Sequence, residues 1–269
     1  MPEERDPQGS RLGAWVDDLQ AGGRYCFTRD ELEGWAGRSE VAVDAALRRL
    51  KQRQRIQTLR RGFHVVVPIE YRVAGCPPAS WFLDDLMRFL GQPYYVGILG
   101  SAALHGAAHQ QPMRLQVVTD RPTRSVRAGR VLVEFHERVG LGTAKVETVA
   151  TETGAMRVAT PETTAFDLVH FQAAAGHLDQ VVTVLGELVE RLRVPELVAC
   201  SRTQPAPDGQ RLGYLLERLG HRQLAVAIAE GLGQQRLRSV VLVPRRASGR
   251  AKPDARWRVV PNWTLRIDP

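Results

Sequence analysis

Apolar residues recur every three or four positions in three stretches near the start of the chain, which is the spacing of one helix face. The first predicted helix covers residues 10–19. Thr28 and Glu31 have the spacing of a capping box and begin the second, and Ser39 occupies the N-cap position of the third, at 40–52. Two short helices joined by a tight glycine-containing turn are typical of a helix-turn-helix.

Strand-like patterns surround the third helix. A short run at residues 25–27 precedes it, and two runs at 56–59 and 63–67 follow it on either side of a glycine-containing turn at 60–62. A hairpin directly after the third helix is the position of a wing. The first 70 residues therefore predict a winged helix-turn-helix.

The pattern changes after this hairpin. The turn-rich segment 73–80 separates it from the rest, and we place a domain boundary there, with domains at residues 1–75 and 76–269. Ser80 is predicted to cap a helix at 81–90.

The larger domain alternates strand-like and helix-like segments. Thr160-Pro161-Glu162 is a strong helix start, because proline is favoured at the first helical position. The run Tyr94–Gly97 precedes a helix predicted at 101–106. Strands are predicted at 115–119, 131–136, 146–150, 156–159, 239–243, 257–260 and 264–267, and further helices at 161–171, 178–191, 195–200, 209–219 and 221–231. The fold class predicted for the chain is α+β: a winged helix-turn-helix followed by a larger mixed α/β domain with a helix-rich middle.

Charge distribution changes the picture more than the total of +8 does. Residues 1–44 carry five lysines and arginines against ten acidic residues, whereas residues 45–75 carry eight against one. Positive charge therefore begins in the stretch that a winged helix presents to DNA. We expect contacts with base edges from Arg38, Ser39, Glu40, Ala42 and Ala45, and mostly phosphate contacts from Arg48, Arg49, Lys51, Arg60 and Arg61.

Composition excludes several other classes. No apolar run reaches the roughly 18 residues that span a bilayer, and the polar, acidic N-terminus lacks the apolar core of a signal peptide, so we expect a cytoplasmic protein. Cys26, Cys76 and Cys200 are far apart, with no CxxC pair, and are interpreted as small buried apolar residues.

Candidate chemistry is sparse. His105 and His109 have the spacing of two metal ligands on one helix, but no third ligand is evident. Gly100-Ser101 followed by a strand is similar to nucleotidyltransferases, which need two carboxylates at alternating strand positions, and here Asp120 stands alone. No P-loop, GxGxxG, GxSxG or HExxH sequence occurs. We therefore predict no enzymatic activity, no metal and no cofactor. The hypothesis for the second domain is that it is a non-catalytic relative of the nucleotidyltransferase fold.

The combination of these segments resembles a known family. An N-terminal winged helix followed by YYVGILGSAALHGAAHQQP, VATPETTAFDLV and PNWTLRID is similar to the AbiEi antitoxins of type IV toxin–antitoxin systems, which are associated with phage defence. The resemblance extends over residues 10–269, and its most specific parts are Tyr94–Pro112 and Arg157–Val169.

That resemblance implies two functions. The N-terminal domain would bind inverted repeats in its own promoter and repress the operon, and the second domain would counteract a nucleotidyltransferase-like AbiEii toxin without necessarily binding it. Basic residues that match the implied antitoxin surface are Arg121, Arg124, Arg127, Arg130, Arg245 and Arg246. A monomer that binds DNA cooperatively is expected, since no coiled-coil heptads occur. Two alternatives stay open: a winged-helix regulator whose second domain binds a small-molecule effector, and an enzyme tethered to DNA.

Overall fold

The computed structural model describes residues 7–33, 40–107, 114–233 and 236–264. Its first part contains three helices and three strands. In chain order these are α1 (Pro7–Ala21), β1 (Cys26–Thr28), α2 (Asp30–Glu33), α3 (Glu40–Gln52), β2 (Ile56–Arg60) and β3 (Phe63–Val66). The three strands form one antiparallel sheet in the order β1-β3-β2. The predicted turn between α2 and α3, with Arg38 and Ser39, lies outside the described residues.

A small apolar core holds these elements together. Leu12 and Val16 of α1 pack in one buried cluster with Leu47 and Leu50 of α3 and with Phe27 of β1. The helix predicted at 40–52 and the hairpin predicted around residues 60–62 are both confirmed as elements. Gly62 adopts a φ of +84°, a conformation that residues with a side chain disfavour. Glycine at this position therefore allows the hairpin turn to close.

The prediction that Ser80 caps a helix is wrong. Ala79–Trp81 is a 3₁₀ turn, and α4 (Leu83–Leu90) begins only after Phe82. The extended conformation of Pro78 starts this tighter turn, in which the Trp81 N–H donates to the Pro78 carbonyl at 3.0 Å. Ser80 therefore lies within the 3₁₀ turn and does not occupy the N-cap position of an α-helix.

The rest of the chain contains both strands and helices, as predicted: most of the strands come first, and a run of helices follows them. The elements are β4 (Tyr94–Val96), α5 (Ile98–Leu104), β5 (Arg114–Thr119), β6 (Val126–Ala128), β7 (Val131–Glu137), β8 (Val146–Thr151), β9 (Gly154–Ala159), α6 (Pro161–His170), α7 (His177–Leu188), α8 (Val194–Thr203), α9 (Ala206–Arg218), α10 (Arg222–Leu232), β10 (Val240–Val241) and β11 (Val259–Val260). Strand β6 was not predicted from the sequence. Most of the strand predicted at 264–267 lies outside the described residues.

Six of these strands form one mixed sheet, in the order β6-β7-β5-β4-β9-β8. The pairs β5–β7 and β4–β9 are parallel, and the other neighbours are antiparallel. Strands β8 and β9, predicted at 146–150 and 156–159, are confirmed and pair antiparallel as a hairpin. Together with the helices, this sheet makes the chain an α+β protein.

The six-stranded sheet has a buried cluster on each face. Tyr95 of β4 and Val118 of β5 belong to the cluster formed with α6 to α10. Their neighbours Val96 and Val117 belong to the opposite cluster, because successive side chains of a strand point to opposite faces. This second cluster also contains Phe63 of the N-terminal sheet, so one core crosses the predicted domain boundary after residue 75.

Candidate nucleic-acid interface

The outer face of α3 is polar and accessible. Glu40, Arg48 and Lys51 are exposed, whereas Ala42 and Ala45 are partly exposed. The buried stripe of Ala46, Leu47 and Leu50 holds the opposite side of the helix against the core. Arg49 is half-buried and makes further interactions. The sequence-predicted residues of α3 therefore share a helix whose outward face is available to a partner.

A second set of contacts fixes this helix relative to the hairpin. The guanidinium of Arg29 forms an ion pair with Asp44 of α3, and the backbone N–H of Arg29 donates to the carbonyl of Gly62 at 2.9 Å. One residue thus joins the middle of α3 to the hairpin turn.

The two arginines of the hairpin turn have different environments. Arg61 is exposed, whereas the guanidinium of Arg60 donates hydrogen bonds to the backbone carbonyls of Arg124 and Ser125, beside β6. Burial and the neighbouring Arg124 charge both lower the pKa of the Arg60 guanidinium. Arg60 therefore fastens the hairpin to the six-stranded sheet, and Arg61 is the turn arginine left accessible.

The basic segment of residues 121–130 lies directly beside this contact. The side chains of Arg121, Arg124, Arg127 and Arg130 are exposed. Arg121 also donates to the Gly91 carbonyl at 2.8 Å, and the backbone N–H of Arg130 donates to the Ala74 carbonyl at 2.9 Å. The structure thus brings part of the predicted antitoxin surface next to the predicted DNA-binding hairpin.

Arg245 and Arg246 lie in a different part of the molecule. Both are exposed in the segment that follows β10, and the guanidinium carbon of Arg246 lies 4.4 Å from the ring centroid of Trp263. The six arginines predicted as one antitoxin surface therefore occupy two separate elements, one beside β6 and one beyond β10.

The segment that is similar to nucleotidyltransferases serves packing in this fold. Ser101 is fully buried in α5, donates to the Ile98 carbonyl at 3.1 Å and accepts from the Thr164 hydroxyl at 2.9 Å. Asp120 is exposed just beyond β5 and lies 3.4 Å from the Nε of Arg121. Ser101 and Asp120 thus differ in burial and face different partners.

Histidine and cysteine positions are equally informative. The Nε2 of His105 lies 2.7 Å from the Ala159 carbonyl, at the end of α5, while His109 lies outside the described residues. Cys26, Cys76 and Cys200 are buried free thiols, as predicted, and burial raises the pKa of each. Within the described ranges no group of three or more His, Cys, Asp or Glu residues has an arrangement able to hold a metal ion.

Sequence reasoning missed a buried polar network in the second half of the chain. Asp167 of α6 is fully buried and forms an ion pair with Arg138, which also donates to the amide oxygen of Gln204. The Tyr95 hydroxyl donates to Asp167 at 3.2 Å. Burial raises the pKa of the Asp167 carboxyl to about 6, while Arg138 and Tyr95 act in the opposite direction.

Close packing at Gly97 belongs to the same network. A Cβ atom at Gly97 would lie 2.7 Å from the Oδ2 of Asp167, so a larger residue has no room there. The glycine in YYVG and the aspartate in AFDLV, both quoted above as family-like segments, thus meet in the core. The presence of both family-like segments in one sequence was the signal that could have indicated this site.

The fold around these two segments is α+β, and a comparison with known protein families adds a match for the same part of the chain. A family model described as the AbiEi antitoxin C-terminal domain matches residues 95–218. This part of the chain is therefore similar to the AbiEi antitoxin family, as the sequence resemblance indicated.

One solved structure extends the likeness to nearly the whole chain. The RV2827C protein from Mycobacterium tuberculosis matches with a TM-score of 0.64 at 19% identity, over 96% of this chain and 92% of that one. At this identity the likeness concerns the fold alone. A comparison with curated proteins finds no match. Among the described helices none is both long and apolar enough to cross a bilayer.

Proposed function

We propose that this chain is a DNA-binding antitoxin that represses its own type IV toxin–antitoxin operon and counteracts a nucleotidyltransferase-like AbiEii toxin. The family match supports the antitoxin role. The observation that supports DNA binding is the outward face of α3, where Arg48 and Lys51 are exposed beside a hairpin whose Arg61 is also exposed. The proposal assigns no catalytic step to the chain.

The proposed mode of DNA binding is that of a winged helix-turn-helix. The first two turns of α3, with Glu40, Ala42 and Ala45, would enter the major groove, while Arg48 and Lys51 neutralise phosphates on either side. Arg38 and Ser39 precede this turn in the sequence and are proposed to act with it. Arg61 would contact the backbone beside the wing.

The contact of Arg60 with the chain before β6 modifies this scheme. Because its guanidinium already bonds two carbonyls, Arg60 positions the wing rather than donating to a phosphate. Arg124 and Arg127 lie next to that contact, are exposed, and are proposed to prolong the cationic surface beyond the wing. Two copies of the chain would then occupy the two halves of an inverted repeat, binding cooperatively from monomers.

Titration of the full chain onto DNA from its own promoter at several salt concentrations tests this interface. With about four phosphates neutralised per copy, the log–log slope of affinity against salt should be close to −4 for one half-site. The double variant Arg48→Gln/Lys51→Gln should reduce the magnitude of this slope by about two and weaken binding to every sequence. A matched variant with the same charge loss, Arg193→Gln/Arg222→Gln, carries its changes at exposed positions on the helical side and should bind normally.

The same full-length variants separate the two proposed roles. In cells that express the AbiEii-type toxin, the α3 variant should still restore growth while failing to repress its promoter. Equal DNA affinity in both double variants would contradict the DNA interface. Failure of the unmodified chain to restore growth would contradict the antitoxin role.

A further inference from the structure

A cavity in the second part of the chain is lined by histidine, glutamine, arginine and aromatic side chains, residue types that often contact ligands in proteins. Its volume is about 710 Å³, and it lies where the end of α6, the start of α7 and the segment after β10 meet. The lining residues that the argument uses are His136, Gln172, His177, Arg245, Phe171 and Trp263. A phosphate ion fills only a small part of such a volume, whereas cavities of about 300 to 1,000 Å³ are typical for organic ligands.

One wall of this cavity carries a buried hydrogen-bond acceptor that has no donor. Gln172 is only 6% exposed, and its Nε2 donates to the Leu242 carbonyl at 2.9 Å. That bond fixes which end of the amide is the oxygen, since a carbonyl partner requires a donor. The Oε1 has no partner among the residues that the structure describes. Buried acceptors are normally paired, so a ligand with an N–H or O–H group suits this wall.

A neighbouring imidazole has the same deficit. The buried Nε2 of His136 has no partner within the described ranges, and its ring lies 5.5 Å from that of Phe171. Burial lowers the pKa of His136, so the ring is neutral and offers either a donor or an acceptor.

The start of α7, which also lines the cavity, favours negative charge. Helix α7 has 12 residues and starts at His177, whose N–H donates to the Gln172 carbonyl at 2.8 Å, while Gly176 at the N-cap makes no side-chain hydrogen bond to the helix. The helix dipole at an end without a side-chain cap attracts anions. The exposed cation Arg245 lines the same cavity.

Backbone strain coincides with these groups. His177 and Arg245 adopt φ values of 70° and 64°, in the left-handed region that residues with side chains rarely occupy. Such conformations persist where the surrounding structure holds them, and they cluster at ligand sites. Carboxylates close to lining residues already have partners: Asp208 lies 2.6 Å from the Nδ1 of His170, Asp179 accepts from the Trp263 Nε1 at 2.8 Å, and Glu134, whose charge acts on His136, pairs with Arg114.

We propose that this cavity binds a nucleotide. The phosphate lies at the N-terminus of α7 with Arg245 and His177, and the base lies against the aromatic lining with an N–H group donated to the Oε1 of Gln172. A nucleotide has an anionic phosphate for the start of α7, a planar ring for the aromatic lining and an N–H donor for Gln172. The inference is independent of DNA binding and of toxin neutralisation.

Isothermal titration of the full chain with the four ribonucleoside monophosphates tests this proposal, with inorganic phosphate and ribose 5-phosphate as partial ligands. At least one nucleotide should bind more tightly than both partial ligands. Arg245→Gln should weaken binding by about tenfold, the effect of losing one charge-assisted hydrogen bond. Arg250→Gln removes an exposed arginine of the same segment that does not line the cavity, and should change nothing.

Gln172→Leu tests the base contact. This variant should weaken nucleotide binding and leave the affinity for inorganic phosphate unchanged. Should Gln172→Leu fail to fold, the same contact is tested on the unmodified chain by comparing nucleotides with and without an exocyclic amino group. Absence of binding by every nucleotide overturns the proposal, as does equal affinity for ribose 5-phosphate and the nucleotides.

Discussion

The two faces of the six-stranded sheet are covered in different ways. On the helical side, Tyr95, Arg138, Asp167 and Gln204 form a buried network of hydrogen bonds and one ion pair. On the side of the N-terminal sheet, buried apolar side chains such as Phe63, Val96 and Val117 pack together in one cluster. Polar contacts of that side lie toward its perimeter, as in the bonds of Arg60.

The two faces of the sheet therefore differ in what orients the elements packed on them. Hydrogen bonds are directional and a buried polar group is costly without its partner, so the network permits only one placement of α6 and the end of α8 on the sheet. Apolar contact is nearly non-directional and depends on the area removed from water. Burial of apolar surface therefore holds the N-terminal sheet in place, and a few hydrogen bonds at the edge set its orientation.

The largest expected effect comes from breaking the buried ion pair. Asp167→Asn keeps the shape of the side chain but leaves Arg138 buried and charged, because a guanidinium does not lose its proton in proteins. We expect a loss of about 3–5 kcal/mol in the free energy of unfolding. Arg138→Met should cost less, since Asp167 can take up a proton. Urea unfolding of both variants at pH 7.5 measures the difference.

An exposed ion pair gives the matched control for this experiment. Lys145 and Glu196 lie 2.9 Å apart at the surface, and Glu196→Gln should leave stability close to that of the unmodified chain. Equal stabilities of Asp167→Asn and Glu196→Gln would show that the network does not position the helices.

A pH titration of stability sharpens the comparison on the other side of the sheet. Burial, with smaller contributions from Arg29 and Lys51, lowers the pKa of His64 to about 4, and its ring is stacked on that of Phe27. Since the folded state disfavours the charged form, stability is complete above pH 6.5 and is lost as the pH falls toward 4. This one group should account for about 3 kcal/mol of that loss.

His64→Phe isolates the contribution of this imidazole. Unfolding free energies of the variant and the unmodified chain, measured between pH 7 and 4.5, should diverge in slope below pH 6.5, with the variant less sensitive to acid. Parallel curves would mean that protonation of His64 is not linked to folding.

The smallest expected change in stability distinguishes the two arginines of the hairpin turn. Arg60→Ala removes bonds to two carbonyls and should lower the free energy of unfolding by about 1 kcal/mol, after allowance for its partial exposure. Arg61→Ala should leave stability unchanged and weaken DNA binding. Thermal unfolding and DNA titration of both variants check this, and loss of stability in Arg61→Ala but not in Arg60→Ala would reverse the assignment.

Local patterns in the sequence were sufficient for most elements. The bounds of α3 and the β8–β9 hairpin follow from period, caps and turn residues, which act within a few positions of each other. Strand β6 has only three residues and is too short to show a period. The cap at Ser80 failed because the conformation of Pro78 favoured a 3₁₀ turn.

The candidate sites were less accessible to sequence reasoning. Exposed cations of α3 could be predicted from the helical stripe, since burial of one face leaves the other to solvent. The role of Arg60 depends on carbonyls 64 and 65 residues away, and the bond between Tyr95 and Asp167 joins positions 72 residues apart. Such pairs have no spacing rule, so only the folded chain reveals them.

The shared apolar cluster limits how this protein can be redesigned. Exchanging its first 75 residues for those of another winged-helix protein would remove the surface that packs against the six-stranded sheet. A chimera would have to keep Phe63 and Val65 on the inner side of the hairpin, along with Arg60 at its end. Under the proposed function, substitutions meant to change base preference belong at the outward positions of α3, which take no part in that packing.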